Sequence, residues 1–335
     1  MKYKEELEKS KEYKINYVNG LNSVIASREK QAEIARKEYT KDIFNAPEKY
    51  RDALKEMLGW PLVGYNDDFL GVESELLTEE DGYRIYRMQF EILKGLKMTG
   101  LFFECDEENR PLVIAQHGGL GTPEIISGFY ETTENYHDML ERVIKYKVNA
   151  FAPQVILWHD RFEVEYDRKE IDGRLKRVGS SITAVEVFGI TKIIDYFEKE
   201  YSIDSFGMVG LSYGGFYTLF TTAVDTRIKS AISCSYFNTR DKYGWSDWVW
   251  QNSAEKFDDA EIACLVYPRK LCIEIGKEDK LFDYKYGVES FEKLKELCRD
   301  VGTDWVDLVV FDGIHEFCKD DEPIEKLIKD LEKKG

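Results

Sequence analysis

Gly210-Leu211-Ser212-Tyr213-Gly214-Gly215 decides the fold reading. The stretch fits the pattern G-x-S-x-G with one further glycine. In such an elbow a strand turns sharply into a helix, and the serine is held in a strained backbone conformation that lifts its hydroxyl above the sheet. Small residues surround it because the strand and helix backbones nearly touch there. The flanks agree. Ser205-Phe206-Gly207-Met208-Val209 upstream reads as a buried strand, and Phe216 to Val224 downstream continues as a buried helix. An ordinary glycine turn with a bystander serine would not need both flanks.

A serine hydroxyl needs a base beside it and a carboxylate behind the base. After an elbow of this kind the expected chain order is Ser, then Asp or Glu, then His. The chain has four histidines, His117, His137, His159 and His315, and only His315 follows Ser212. It stands where the apolar run Val309-Val310-Phe311 enters the loop Asp312-Gly313-Ile314. The acid is expected after the strand Lys270 to Ile275. Asp279 is favoured there, with Asp283 second and Glu278 third. The oxyanion of a tetrahedral intermediate needs two donors. Tyr213 N–H is one. The other is expected from the glycine loop His117-Gly118-Gly119-Leu120-Gly121 that follows the strand Pro111 to Gln116. Gly119 N–H is the choice, with Gly118 and Leu120 as its neighbours. His117 is expected to border the substrate and to fix this loop by hydrogen bonding rather than to move protons.

These stretches together resemble the α/β-hydrolases of the acetyl xylan esterase-like group, near the dienelactone hydrolase relatives. The resemblance rests on His117-Gly118-Gly119, on Phe151-Ala152-Pro153-Gln154 with Asp160-Arg161, and on the elbow. It continues through Tyr267-Pro268-Arg269-Lys270-Leu271 to Gly276-Lys277-Glu278-Asp279-Lys280-Leu281-Phe282, and ends at Asp312-Gly313-Ile314-His315-Glu316-Phe317. It spans about Asp81 to Phe317. It implies an α/β-hydrolase fold, a triad of Ser212, Asp279 and His315, no cofactor and no metal, and hydrolysis of a short acyl ester, acetyl above all. Dienelactone hydrolases proper carry cysteine at the elbow. Ser212 in its place implies esterase chemistry. A prolyl-oligopeptidase-like serine peptidase shares the triad, but the region before the elbow unit is too short for the propeller of those enzymes. A binding scaffold that has given up catalysis would not need the three residues intact.

Composition sets outer limits. The 335 residues are long enough for a large core, and 14% aromatic content excludes a disordered chain. The net charge of −17 argues against nucleic acid and anionic membrane as partners. A small-molecule ester, with an acetylated saccharide as one form of it, is the expected partner, and a homo-oligomer is left open. Met1-Lys2-Tyr3-Lys4-Glu5-Glu6-Leu7 opens a charged segment with no apolar core of a secretory leader, and no run reaches membrane-spanning length. Six cysteines without C-x-x-C spacing read as free thiols in a reducing cytoplasm. No H-E-x-x-H pattern is present, so metal-dependent deacetylation loses support.

Three zones are expected. Residues 1–70 read as a charged helical extension packed on the rest. Leu21, Val24, Ile25, Ile34 and Ala35 recur at helical spacing, and Pro47 to Leu58 is a helix closed by Gly59. Residues 71–335 read as the catalytic domain. It opens with antiparallel strands around the hairpin signal Asp81-Gly82. From Pro111 strands and helices alternate, which implies a mostly parallel sheet. Insertions are expected near 158–178 and 236–258. The second carries Trp245, Trp248 and Trp250. These are read either as a platform for acyl chains or sugar faces or as the core of a small subdomain. His159-Asp160 in the first insertion reads as a structural pair.

Overall fold

The computed structural model describes residues 1–60, 71–130, 132–157 and 164–333. A nine-stranded sheet organises them in the order β1-β2-β3-β5-β4-β6-β7-β8-β9. The strands β1 (Val72–Glu80), β2 (Tyr83–Leu93) and β3 (Leu96–Cys105) form an antiparallel meander. Its first turn is Asp81-Gly82, both in the left-handed region at φ 52° and 82°. That geometry matches the twist of the flanking strands. β3 pairs antiparallel with β5 (Asn149–Pro153), Phe102 opposite Phe151. From there β4 (Leu112–Gln116), β6 (Phe206–Leu211), β7 (Ile228–Cys234), β8 (Lys270–Gly276) and β9 (Val306–Phe311) run parallel with β5.

The central strands are apolar on both faces because both faces are covered. Leu112, Ile114 and Met208 belong to one core, with the helices Ile182–Glu200 and Tyr213–Val224. Val113, Ala115 and Val209 belong to the other, with Met139–Ile144 and Glu322–Glu332. After β4 the chain steps to β5 on one side, and β6 then lies on the other side of β4. The loops after β4 and β6 therefore part over a crevice, the usual ligand position in open α/β sheets. The glycine loop and the elbow are those two loops.

The first sixty residues carry two helices, which the body covers to different extents. Helix α2 (Pro47–Leu58) belongs to the main core through Tyr50, Leu54 and Leu58, and Gly59 closes it at φ 98°. Buried Arg51 donates to the carbonyls of Ala223 and Leu265. Helix α1 (Leu7–Tyr39) buries only Ala32. Its C-terminal turns rest on the short helix Ser253–Lys256, and Arg36 pairs with Glu261 at 3.1 Å. No helix among the described residues is long and apolar enough to cross a membrane. The cysteines are free thiols, all buried except half-buried Cys272.

Candidate active site

Ser212 sits at φ 61°, ψ −122°, between the end of β6 and the helix Tyr213–Val224. A non-glycine residue stays in that region only when its surroundings over-determine it. Here they do. A Cβ at Gly210 would lie 2.3 Å from Gly214 O, one at Gly214 would lie 2.1 Å from Gln116 O, and one at Gly215 would lie 2.6 Å from Cys234 O. The three glycines let β6, the helix and the ends of β4 and β7 close on the serine. Ser212 N–H donates to Cys234 O at 2.9 Å.

The glycine loop lies against the elbow. A Cβ at Gly118 would come within 3.0 Å of Ser212 Cβ. Gly118 N–H donates to Tyr136 Oη at 2.7 Å, and Gly121 N–H donates to Gly118 O at 3.0 Å. The Gly118 N–H is thereby taken, whereas those of Gly119 and Leu120 make no hydrogen bond to a described residue. His117 is fully buried, so the expectation that it borders the substrate is corrected. Its Nε2 accepts from Val155 N–H at 3.2 Å. The proton is therefore on Nδ1, which faces Gly118 O at 3.0 Å. His117 bolts the loop after β4 to the chain leaving β5.

His315 and Asp279 are brought together. Nδ1 of His315 is 2.8 Å from Asp279 Oδ2. The Asp279 side chain is wholly buried and that of His315 is 23% exposed, so the carboxylate is fixed while one edge of the imidazole faces outward. Asp279 Oδ1 accepts from Leu281 N–H at 2.8 Å and Phe282 N–H at 2.9 Å. Asp283 instead caps the helix Tyr284–Leu297, accepting from Lys285 N–H. Glu278 is an exposed loop residue whose N–H donates to Gly313 O. Ser212 Oγ makes no hydrogen bond to His315 or to another described residue in this structure.

Several residues around the site carry no local sequence signal. Asn135 Nδ2 donates to His315 O at 3.1 Å, Phe317 N–H donates to Asn135 O at 2.9 Å, and His137 Nε2 meets Glu316 Oε2 at 2.7 Å. Burial raises the Glu316 carboxyl, but His137 and Lys319 outweigh it and hold the group below its ordinary value. Behind the elbow, Tyr213 Oη donates to Asp247 Oδ2 at 2.9 Å, and Arg168 Nε donates to the same oxygen at 2.8 Å. Arg168 also reaches Glu186 at 3.1 Å and Tyr217 Oη at 2.7 Å. Burial first, and the Asp247 charge second, push the Tyr213 phenol far up. Arg168 and Asp247 come from the two expected insertions. Nothing local in the sequence sets them apart from the other charges of those insertions.

The tryptophans divide. Trp248 and Trp250 are 3% and 5% exposed. Trp248 stacks on Phe216 and Phe282, and Trp250 lies against Phe220 and donates to Ser181 Oγ. They pack the insertion onto the body, which corrects the platform expectation for both. Trp245 is half-buried and stacks on the Tyr213 ring at 5.7 Å. Trp158, the His159-Asp160 pair and the rest of 158–163 lie outside the described residues. No group of three metal-binding side chains occurs among the described residues. A groove of about 1040 Å³ around Arg84, Arg110 and Lys229 opens at the N-terminal ends of the strands, away from this site.

No protein-family model matches the chain. Over 200 residues it is 27% identical to YtaP of Bacillus subtilis (strain 168), which is named as a proposed hydrolase. That match covers 55% of this chain and 64% of YtaP, so the chain spans under two thirds of that relative's length. Among solved structures it resembles a proposed acetyl xylan esterase from Bacteroides fragilis NCTC 9343. The TM-score is 0.65 at 16% identity, over 81% of this chain and 76% of the other. It also resembles a glucuronoyl esterase from Solibacter usitatus, with a TM-score of 0.62 at 14% identity, over 84% and 92% of the two chains. The sheet order, the elbow and these likenesses agree: the chain has the α/β-hydrolase fold.

Proposed function

We propose that the chain is a serine esterase that removes short acyl groups, acetyl above all, from a carbohydrate alcohol. The observation that carries the reading is the buried Asp279 carboxylate holding His315 Nδ1, while Cys234, whose carbonyl accepts from the N–H of the strained Ser212, donates through Sγ to the carbonyl of Glu316, the residue after His315. Ser212 Oγ attacks the ester carbonyl. Nε2 of His315 takes the serine proton, and Asp279 keeps Nδ1 protonated and stabilises the imidazolium. The carbonyl oxygen becomes an oxyanion facing the N–H groups of Tyr213 and Gly119. His315 then protonates the leaving alcohol and the acyl group stays on Ser212. Water, giving a proton to His315, attacks the acyl carbon; His315 returns that proton to Ser212 Oγ as the acyl–Oγ bond breaks and the carboxylic acid leaves. The Ser212–His315 hydrogen bond forms with substrate in place, since such bonds are often open in the empty enzyme. The names of the solved neighbours support an ester of a saccharide.

The test is a series of p-nitrophenyl esters from acetate to octanoate, followed by acetylated xylo-oligosaccharides and a chromogenic peptide. Acetate should turn over fastest, with losses of roughly ten- to two-hundred-fold per methylene that does not fit. Octanoate faster than acetate removes the short-acyl claim. Turnover of the phenyl ester with no acetate released from any sugar removes the carbohydrate. Cleavage of the peptide in preference to every ester replaces the esterase with a peptidase.

A further inference from the structure

The first half of α1 carries a surface that the rest of the described chain leaves uncovered. Residues 11–31 are all exposed. Within them, Ile15 to Ser27 (INYVNGLNSVIAS) is thirteen residues without a charge, in a chain that is 33% charged. Solvated helix faces in such a chain are studded with Lys and Glu, as α1 itself is on either side of this run. Loss of charge on an exposed surface is the compositional mark of an interface core.

The run has a shape as well as a composition. Tyr17, Val18, Leu21, Val24 and Ile25 follow the spacing i, i+1, i+4, i+7, i+8, which puts them on one helix face. They are 75%, 53%, 47%, 59% and 45% exposed. Leu21 is the midpoint of the stripe and of the uncharged run. A two-fold axis through Leu21, perpendicular to the helix, carries Tyr17 onto Ile25, Val18 onto Val24 and the run onto itself. A surface of that symmetry is its own complement, as an isologous dimer contact requires. With Leu7 and Tyr13 on the same side, these apolar side chains present roughly 800 Å² per copy, the amount each partner gives to a standard interface. The contact would also continue one already formed. The far end of α1 rests on the helix Ser253–Lys256, so a second antiparallel copy of α1 would reach that junction. One unfavourable pair results: Lys14 comes toward Arg28 of the second copy. Arg28 already faces Glu255 at 3.4 Å, which offsets that like charge.

We propose that this face of α1 is the dimer interface of the protein, and that its occupant is the antiparallel α1 of a second copy. A membrane surface fits less well. Helices that lie on membranes carry Lys and Arg on the polar face, whereas the polar positions of this run are Asn16, Asn19, Asn22, Ser23 and Ser27.

The mass of the full chain in solution tests this directly, by sedimentation equilibrium across a micromolar range. The wild type should be a dimer. Leu21→Glu, at an exposed position, should melt at the same temperature and raise the dimer dissociation constant by on the order of 100-fold, because the new charge meets its own copy at the axis. A mixture of Tyr17→Cys and Ile25→Cys chains should form mixed disulfide dimers under mild oxidation, faster than either chain forms them alone. A monomeric wild type overturns the proposal. So does a dimer indifferent to Leu21→Glu, or cross-linking of Tyr17→Cys with itself in preference to the mixture. Binding of the wild type to phosphatidylglycerol–phosphatidylcholine vesicles, lost in Leu21→Glu, would assign the face to a membrane instead.

Discussion

Replacing Asp279 with asparagine exchanges one oxygen for an NH2 and, by the geometry of its pocket, reverses a proton. The wild-type carboxylate accepts three hydrogen bonds. Oδ1 takes the N–H groups of Leu281 and Phe282, and Oδ2 faces His315 Nδ1. An asparagine can keep only one arrangement. Turning its NH2 toward Leu281 and Phe282 would set donors against donors, at about 1–3 kcal/mol for each group left unpaired. The amide oxygen therefore stays on the two backbone N–H groups and the NH2 faces His315. Nδ1 must then accept, so the imidazole proton moves to Nε2, the nitrogen that has to receive the proton of Ser212. Asp279→Asn should fold normally, lose about 1–2 kcal/mol of stability with the charge-assisted bond, and lose roughly 10⁴-fold in kcat with KM little changed. That factor is about 5 kcal/mol of barrier. Steady-state hydrolysis of p-nitrophenyl acetate measures it, with thermal melting to show that the variant is folded. Asp283→Asn is the control. That residue caps the helix Tyr284–Leu297, and asparagine caps a helix about as well as aspartate, so the change should cost well under about 1 kcal/mol of stability and little activity. An Asp279→Asn enzyme that keeps about a tenth or more of wild-type kcat would refute the assigned tautomer. A larger loss in Asp283→Asn would move the acid.

Ser212→Ala should remain folded and lose on the order of a million-fold in turnover; more than a few per cent residual activity in a pure sample would show that the nucleophile lies elsewhere. Glu274 predicts a pH-dependent stability. It is buried in β8, Oε2 has no hydrogen-bond partner among the described residues, and burial raises its pKa from an ordinary 4.5 to about 7, against the opposing pull of Cys234, Arg142 and the Cys318 backbone. Below pH 4.5 the group is protonated in the folded and unfolded chain alike. As pH rises from about 4.5 toward 7 the unfolded chain releases a proton that the folded state keeps, and above 7 the folded state holds a buried charge, so the cost grows across that window to a plateau on the order of 3 kcal/mol. Glu274→Gln should therefore raise the melting temperature by several degrees at pH 8 and much less at pH 5. An equal shift at both pH values contradicts the buried-carboxylate account.

The elbow was legible in the sequence because its demands are local. A serine at positive φ between a buried strand and a buried helix needs glycines at fixed offsets, and a one-dimensional pattern records them. His315 was legible by elimination, since the elbow sets the order of its partners and one histidine follows it. The parallel core was legible for a similar reason: strands buried on both faces read as unbroken apolar runs whatever their neighbours are. Distinctions that depend on residues distant in sequence were not legible. Asp279 and Asp283 are four positions apart in one loop, and only the fold sets one against His315 and the other on a helix N-terminus. Trp245, Trp248 and Trp250 share one short segment, but burial depends on the helices beneath, and two of the three became core. Arg168 and Asp247, 79 residues apart, carry no local mark of their pairing, which exists only because the fold closes both insertions over Tyr213. A buried ion pair is a property of the enclosed space between two segments, and neither segment encodes that space alone. The same holds for α1. Its apolar spacing in the sequence announced a packed helix, and only the tertiary structure showed that one end of that face is buried and the rest exposed, because no described residue covers the first half of a helix of 33 residues.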